Sequence, residues 1–274
     1  GAADPSFTAV DIATNADHAE DVHVADMDGD GDLDIVSASS NDSTIAWYEN
    51  NGATDPTFTA SDITTSASGA HDIFLIDIDH DGDVDIVSAE KNDGTIAWYA
   101  NNGAVNPTWT GTDIDTNALG ARSVYAADMD GDGDLDIISA SEDDDTIAWY
   151  ESDVASNNDT AIMAQVGDDY ASTSGTLTFS PGETSKTFNV IISEDLIPEN
   201  NETVQLTLSN PSNTTISDAT GAVVITDDDT VSFTESIIST SADGAYDVHV
   251  ADMDSDGDMD IVASSIHDDT IRWY

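Results

Sequence analysis

Residues 25–39 read ADMDGDGDLDIVSAS, five aspartates on alternate positions running directly into an apolar stretch. The pattern returns as IDIDHDGDVDIVSAE at 76–90, ADMDGDGDLDIISAS at 127–141 and ADMDSDGDMDIVASS at 251–265. Measured from the first aspartate of each cluster, Asp26, Asp77 and Asp128 are spaced by 51 residues, and Asp252 follows after one more repeat and 73 extra residues. Other landmarks keep this register: an aromatic at Phe7, Phe58, Trp109 and Phe233, an isoleucine at Ile12, Ile63, Ile114 and Ile238, and a tryptophan at Trp47, Trp98, Trp149 and Trp273. A fixed period of this kind is the signature of a repeat architecture.

Each repeat reads as four short strands, represented by DVHVAD, LDIVSAS, TIAWYE and FTASDI, which are β-branched or aromatic and separated by Gly, Asn, Asp and Pro. Sustained helical periodicity is missing throughout. The expected fold class is all-β: a β-propeller of four 51-residue, four-stranded repeats, with radial repetition leaving only short edges. Residues 1–151 carry repeats 1–3, 152–229 an inserted module, and 230–274 repeat 4. The chain ends on a third strand, TIRWY, and begins on a fourth, PSFTAVDI. The opening strand is therefore expected either to close a four-blade ring or to complete a blade in a neighbouring chain, making the repeats an arc of a larger assembly.

The aspartates occupy positions 1, 3, 5, 7 and 9 of each loop, with Gly at position 6. In order they are Asp26, Asp28, Asp30, Asp32 and Asp34; Asp77, Asp79, Asp81, Asp83 and Asp85; Asp128, Asp130, Asp132, Asp134 and Asp136; and Asp252, Asp254, Asp256, Asp258 and Asp260. Alternate oxygens in a tight loop converge on one point, and Gly lets the backbone turn toward it. An oxygen-only, carboxylate-dense shell suits Ca2+ better than magnesium. Five like charges in nine residues repel strongly without a counterion. Position 12 is Ser37, Ser88, Ser139 or Ala263, not the bidentate Glu of an EF-hand, so the loop must close at position 9. By analogy with calcium loops of this kind, position 7 binds through its backbone carbonyl.

The D-x-D-x-D-G-D-x-D loop followed by DIVSAS resembles the FG-GAP/VCBS repeats of integrin-type β-propellers, which implies calcium between a blade's first two strands. The insert, from GDDYASTSGTLTF through SEDLIPENNETVQLTLSNP to GAVVITDDD, resembles a Calx-β domain, an immunoglobulin-like β-sandwich. That resemblance maps ligands for two or three further Ca2+ ions to Asp169, Glu194, Asp195, Glu199, Glu202, Asp227, Asp228 and Asp229. Both resemblances imply an extracellular, secreted or cell-surface setting.

Formal charge is −53, from 57 acidic residues against four basic ones. Nucleic acid is excluded as a partner, because phosphate binding needs basic patches. No apolar run reaches the ~18 residues of a membrane span. Cys is absent, so disulfides and thiolate chemistry are excluded. Ser, His and Asp are plentiful, but no nucleophile elbow appears, and no enzyme activity is expected. Of each Trp–Tyr pair, such as Trp47–Tyr48, one ring is expected to pack between blades, since neighbouring strand residues face opposite sides. His23 and His249 share the slot of Phe74 and Tyr125 and read as packing; His80, at loop position 4, is no required ligand.

The expected function is a calcium-stabilised structural or adhesion protein, self-assembling into oligomers or fibres. Its partners would be other copies of itself, cell-surface or matrix components, or glycans. A carbohydrate-binding or ancillary module of a larger extracellular enzyme is the alternative, and needs exposed aromatics in a concave site.

Overall fold

The computed structural model describes residues 9–153, 170–172, 174–193, 202–226 and 231–274. They are all-β and fall into two compact units, residues 1–152 with 232–274, and residues 153–231.

In the larger unit each repeat folds into one antiparallel sheet. The first holds β1 (Ala19–Ala25), β2 (Asp34–Ser39), β3 (Thr44–Asn50) and β4 (Phe58–Thr64), in that order. The second repeats it with β5 (Ala70–Ile76), β6 (Asp85–Glu90), β7 (Thr95–Asn101) and β8 (Trp109–Asp115). The third begins with β9 (Ala121–Ala127), β10 (Asp136–Ser141) and β11 (Thr146–Ser152). The chain then leaves for the smaller unit, with β12 (Tyr170–Ala171), β13 (Ile191–Ile192), β14 (Glu202–Thr207) and β15 (Thr220–Ile225). It returns as β16 (Phe233–Ser239), which pairs with β11 and completes the third sheet. The fourth sheet is β17 (Ala245–Ala251), β18 (Asp260–Ser265) and β19 (Thr270–Trp273).

The inner strands adjoin in series, β1 with β5, β5 with β9 and β9 with β17. Their facing rings form a row: Phe74 and Tyr125 lie 4.6 Å apart, and Tyr125 and His249 4.8 Å. His23, 6.3 Å from the Phe74 ring, and His249 stand at the two ends of this row, as their slot suggests. The second strands DIVSAE and DIISAS are buried along their whole length, because a neighbouring sheet covers each face. One cluster joins Val36, Ile45 and Trp47 of the first sheet to Ile73, Ile86 and Tyr99 of the second. Trp and Tyr of a pair therefore point to opposite faces, and in the first two sheets both are buried, whereas one was expected to be. Those rings offer no sugar platform.

Arg122, on β9, ties the second, third and fourth sheets together. Its guanidinium reaches Glu142 and the His71 ring at 2.6 Å each and stacks 4.7 Å over the Tyr246 ring. Lys91 joins the same Glu142 carboxylate at 3.0 Å.

The described residues form no closed barrel or ring. The fourth sheet has three strands, and residues 9–12 of the expected closing strand lie outside any strand; residues 1–8 fall outside the described residues. Val10 is 81 % exposed, and Ile12, 43 % exposed, lines an open recess on the first sheet. In the smaller unit the described strands make two two-stranded sheets, β12–β13 and β14–β15, rather than a visible sandwich.

Candidate metal centres

Each acidic loop joins the first and second strands of its sheet, and its course is fixed locally. In the first loop the Gly31 N–H donates to Asp26 Oδ2 at 2.9 Å, the Asp30 N–H to Asp28 Oδ1 at 3.2 Å, and the Asp32 N–H to Asp30 Oδ1 at 2.8 Å. The second loop repeats all three bonds through Asp77, Asp79 and Asp81. Glycine at position 6 is required by φ: +94° at Gly31, +96° at Gly82, +107° at Gly133 and +103° at Gly257, beyond the left-handed helical well that other residues enter. Position 4 sits inside that well, which is why His80 and Ser255 are accepted there at φ +57° and +63°.

Position 9 anchors the loop to the sheet. Asp34 accepts the Met27 N–H through Oδ2 at 3.2 Å and the Asn50 N–H through Oδ1 at 2.7 Å. Asp85 does the same with Ile78 and Asn101, and Asp136 with Met129 and Ser152. Position 9 therefore ties each of these three loops to the backbone of its sheet. The asparagines that receive it were not singled out from sequence, although the recurring pair ending in Gly, Asn50–Asn51–Gly52 and Asn101–Asn102–Gly103, carries the signal.

The carboxylates converge in a consistent subset. Asp26, Asp28 and Asp34 each bring one oxygen within 4.8 Å of the others, as do Asp77, Asp79 and Asp85, and Asp252, Asp254 and Asp260: positions 1, 3 and 9. In the third loop the trio is Asp128, Asp130 and Asp132, positions 1, 3 and 5. Oxygens at about 2.4 Å from a shared calcium are at most about 4.8 Å apart. Asp30, Asp81 and Asp256 at position 5 lie outside these trios and accept the N–H two residues on, a turn bond that Asp28, Asp79 and Asp132 of the trios make as well. The position 7 side chains stand outside every trio. Asp32 and Asp83 lean against Gly52 and Gly103, where a Cβ would collide with them; Asp134 is 2 % exposed; Asp258 is exposed.

Two observations fit a cation to these loops. Asp26 Oδ1 and Asp77 Oδ1 are buried without a hydrogen-bond partner, an arrangement costly for an anionic oxygen unless a positive charge faces it. Burial, reinforced by neighbouring carboxylates, also raises the acids of the second loop: Asp79 upward, Asp81 to about 7 and Asp85 to about 8. Asp134 rises to about 8 through burial and then through Asp132. Protonation or a bound cation relieves such a loop; at neutral pH a divalent ion with an oxygen shell does so best.

The smaller unit's expected ligands Asp169, Glu194, Asp195, Glu199, Asp227, Asp228 and Asp229 lie outside the described residues, as does the side chain of Glu202.

The sequence matches the FG-GAP-like repeat over residues 26–88 and again over 77–139, windows that start or end on the acidic loops and their following strands. Residues 151–230 match the Calx-beta domain. No curated protein matches the chain. Both families are calcium-associated and typical of extracellular or cell-surface proteins. Among the described residues no helix is long and apolar enough to cross a membrane. The chain therefore carries two segments that match the FG-GAP-like repeat, together spanning residues 26–139, and one over 151–230 that matches the Calx-beta domain.

Proposed function

We propose that this protein is a non-enzymatic, calcium-stabilised structural module of the extracellular space or cell surface, serving adhesion or assembly with other copies of itself or with matrix components. The observation that carries the reading is the fourfold recurrence, in register, of a loop that gathers three carboxylates beside a strand start. Calcium, when bound, supplies the positive charge that lets those carboxylates stay ionised at close quarters.

The loops' own residues do the rest. Positions 1, 3 and 9 present oxygens to one point in the first, second and fourth loops and positions 1, 3 and 5 in the third; position 6 allows the turn, and in the first three sheets Oδ1 of position 9 accepts an N–H of the third strand. Holding this loop therefore holds the first three strands of a sheet together. Extracellular calcium modules bind at about 10⁻⁴–10⁻³ M, in keeping with millimolar calcium outside cells. The smaller unit adds two or three further calcium ions in this reading, through its Calx-beta acids. Calcium titration of the thermal melt tests it: unfolding should move upward with calcium and not with sodium at equal ionic strength. An unmoved melt rejects the proposal.

A further inference from the structure

The interfaces between neighbouring sheets have a plug and a socket. In the second sheet Ala67, Ala70, Ile73, Ile86 and Tyr99 form an apolar socket, and Ile45 and Trp47 of the first sheet belong to the same buried cluster. The fourth sheet's socket, with Ala242, Ala245, Val248 and Ile261, packs with Ile147 and Trp149 of the third. These positions are register equivalents, 51 residues apart in the first pair of repeats.

The first sheet carries the same socket, and among the described residues no Ile–Trp plug packs in it. Ala16, Ala19, Val22, Ile35 and Tyr48 line an open apolar recess of about 290 Å³. Val22 is 60 % exposed, where its counterparts Ile73 and Val248 are 1 % and 3 %. In the fourth sheet the plug is exposed. Ile271 is 79 % and Trp273 59 % exposed, against 0 % and 5 % for Ile45 and Trp47.

Polar groups at the two ends match in the same way. At internal junctions Asp21 Oδ2 accepts the Ile73 N–H at 3.1 Å, and Asp72 Oδ2 the Val124 N–H at 2.9 Å. The counterpart acceptor in the fourth sheet is Asp247, exposed, and the counterpart donor is the Val22 N–H, which turns back onto its own neighbour Asp21 at 2.8 Å. Likewise Asn101 Nδ2 donates to both Val84 O and Met27 O of the preceding sheet. Asn50 Nδ2 reaches Leu33 O at 2.9 Å, and the register places its second acceptor at Met253, which is 57 % exposed.

We propose that the Ile271–Trp273 end of one copy docks into the Ala16–Val22–Tyr48 recess of a second copy of this chain, reproducing the internal sheet junction between molecules. The partner is identified by continuity: plug and socket stand in the register of the first–second and third–fourth junctions, and acceptor and donor in that of the first–second and second–third. Because plug and socket are different surfaces, the contact is head-to-tail and builds closed rings or open filaments. The inference rests on the structural-module reading above and names its partner.

Sedimentation of the full 274-residue chain in millimolar calcium and moderate salt tests it, with bound calcium counted on the same samples. The parent should sediment at a multiple of 28.7 kDa. Trp273→Asp, at the plug, and Val22→Asp, at the socket, should each weaken association about 30-fold or more, as loss of a central anchor does. Mixed together, these two variants should give a one-to-one dimer and nothing larger, since each keeps one good end. Both sites are exposed, so calcium content and circular dichroism should match the parent's; Ile271→Asp serves as a second plug variant. A monomeric parent, including one whose Trp273 is buried by closure within a single chain, overturns the proposal, as does association unaffected by either variant. A monomer with its loops still loaded ends the docking and leaves the calcium reading standing; an oligomer that holds no calcium does the reverse.

Discussion

The Asp34 carboxylate accepts the backbone N–H of Asn50 at 2.7 Å, so a loop that gathers charge at one end of the sheet is fastened to the last residue of its third strand. The equivalent bonds, Asp85 with Asn101 at 2.7 Å and Asp136 with Ser152 at 2.9 Å, make this a repeated device. In the first two loops one side chain thus belongs both to the carboxylate trio and to the fastening of the third strand.

That coupling separates two substitutions in the second loop. Asp79→Ala removes an oxygen from the Asp77, Asp79 and Asp85 trio and should release one calcium ion. Asp83→Ala, whose side chain leans on Gly103 outside the trio, should leave the ion bound. Isothermal titration of both variants checks this; equal loss of calcium from the two would contradict the assigned roles.

Backbone conformation gives a second test. At Gly31, φ is +94° and a Cβ would meet nothing within 4 Å, so Gly31→Ala costs conformational strain alone, about 1–3 kcal/mol. At Gly29, φ is +71°, near the well that Ser255 and His80 occupy, and Gly29→Asn should cost well under about 1 kcal/mol. Denaturant unfolding in calcium measures both; similar losses would show that position 6 is not special.

Asp72 provides the pH dependence. It sits between Asp21 and Ser123 on the inner strands. Burial, and then competition with Asp21, pushes its carboxyl from 3.8 up to about 7. Burial also acts on Asp21, but hydrogen bonds from His23 and the Ile73 N–H outweigh it and hold that carboxyl low. Because the folded value of Asp72 is raised, its contribution to stability is present below about pH 4 and is lost as pH climbs toward 7. Asp72→Asn should then melt with the parent at pH 4 and about 2–5 °C above it at pH 8. A difference of the same size at both pH values would rule this origin out.

Much of this was legible in the sequence because it is periodic. The 51-residue register located every strand of the four sheets, and the alternation of Asp with Gly located the loops and the residue that closes them. What the pattern lacked was the angle between sheets. Nothing in FTASDI or TIRWY states how far each sheet rotates against the next, so whether the repeats close or remain an arc was open. The division of labour within a loop was hidden for a similar reason: positions 3 and 5 are both aspartate and both accept the N–H two residues on, yet in the first, second and fourth loops only position 3 joins the converging trio. The inter-sheet acceptors Asp21 and Asp72 looked like the polar half of an alternating strand. Their register was visible, but their partners lie on another sheet.

The central claim is that the four acidic loops are calcium sites that hold the sheets together. Native mass spectrometry of the chain in calcium and after chelation, paired with thermal melts of the same samples, tests it most directly. The account predicts at least four bound ions, lost together on chelation. A fall in melting temperature should accompany the loss, since each site held at 100-fold over its dissociation constant contributes about 2.7 kcal/mol. Fewer than four ions, or a melting temperature unchanged by chelator, would contradict it.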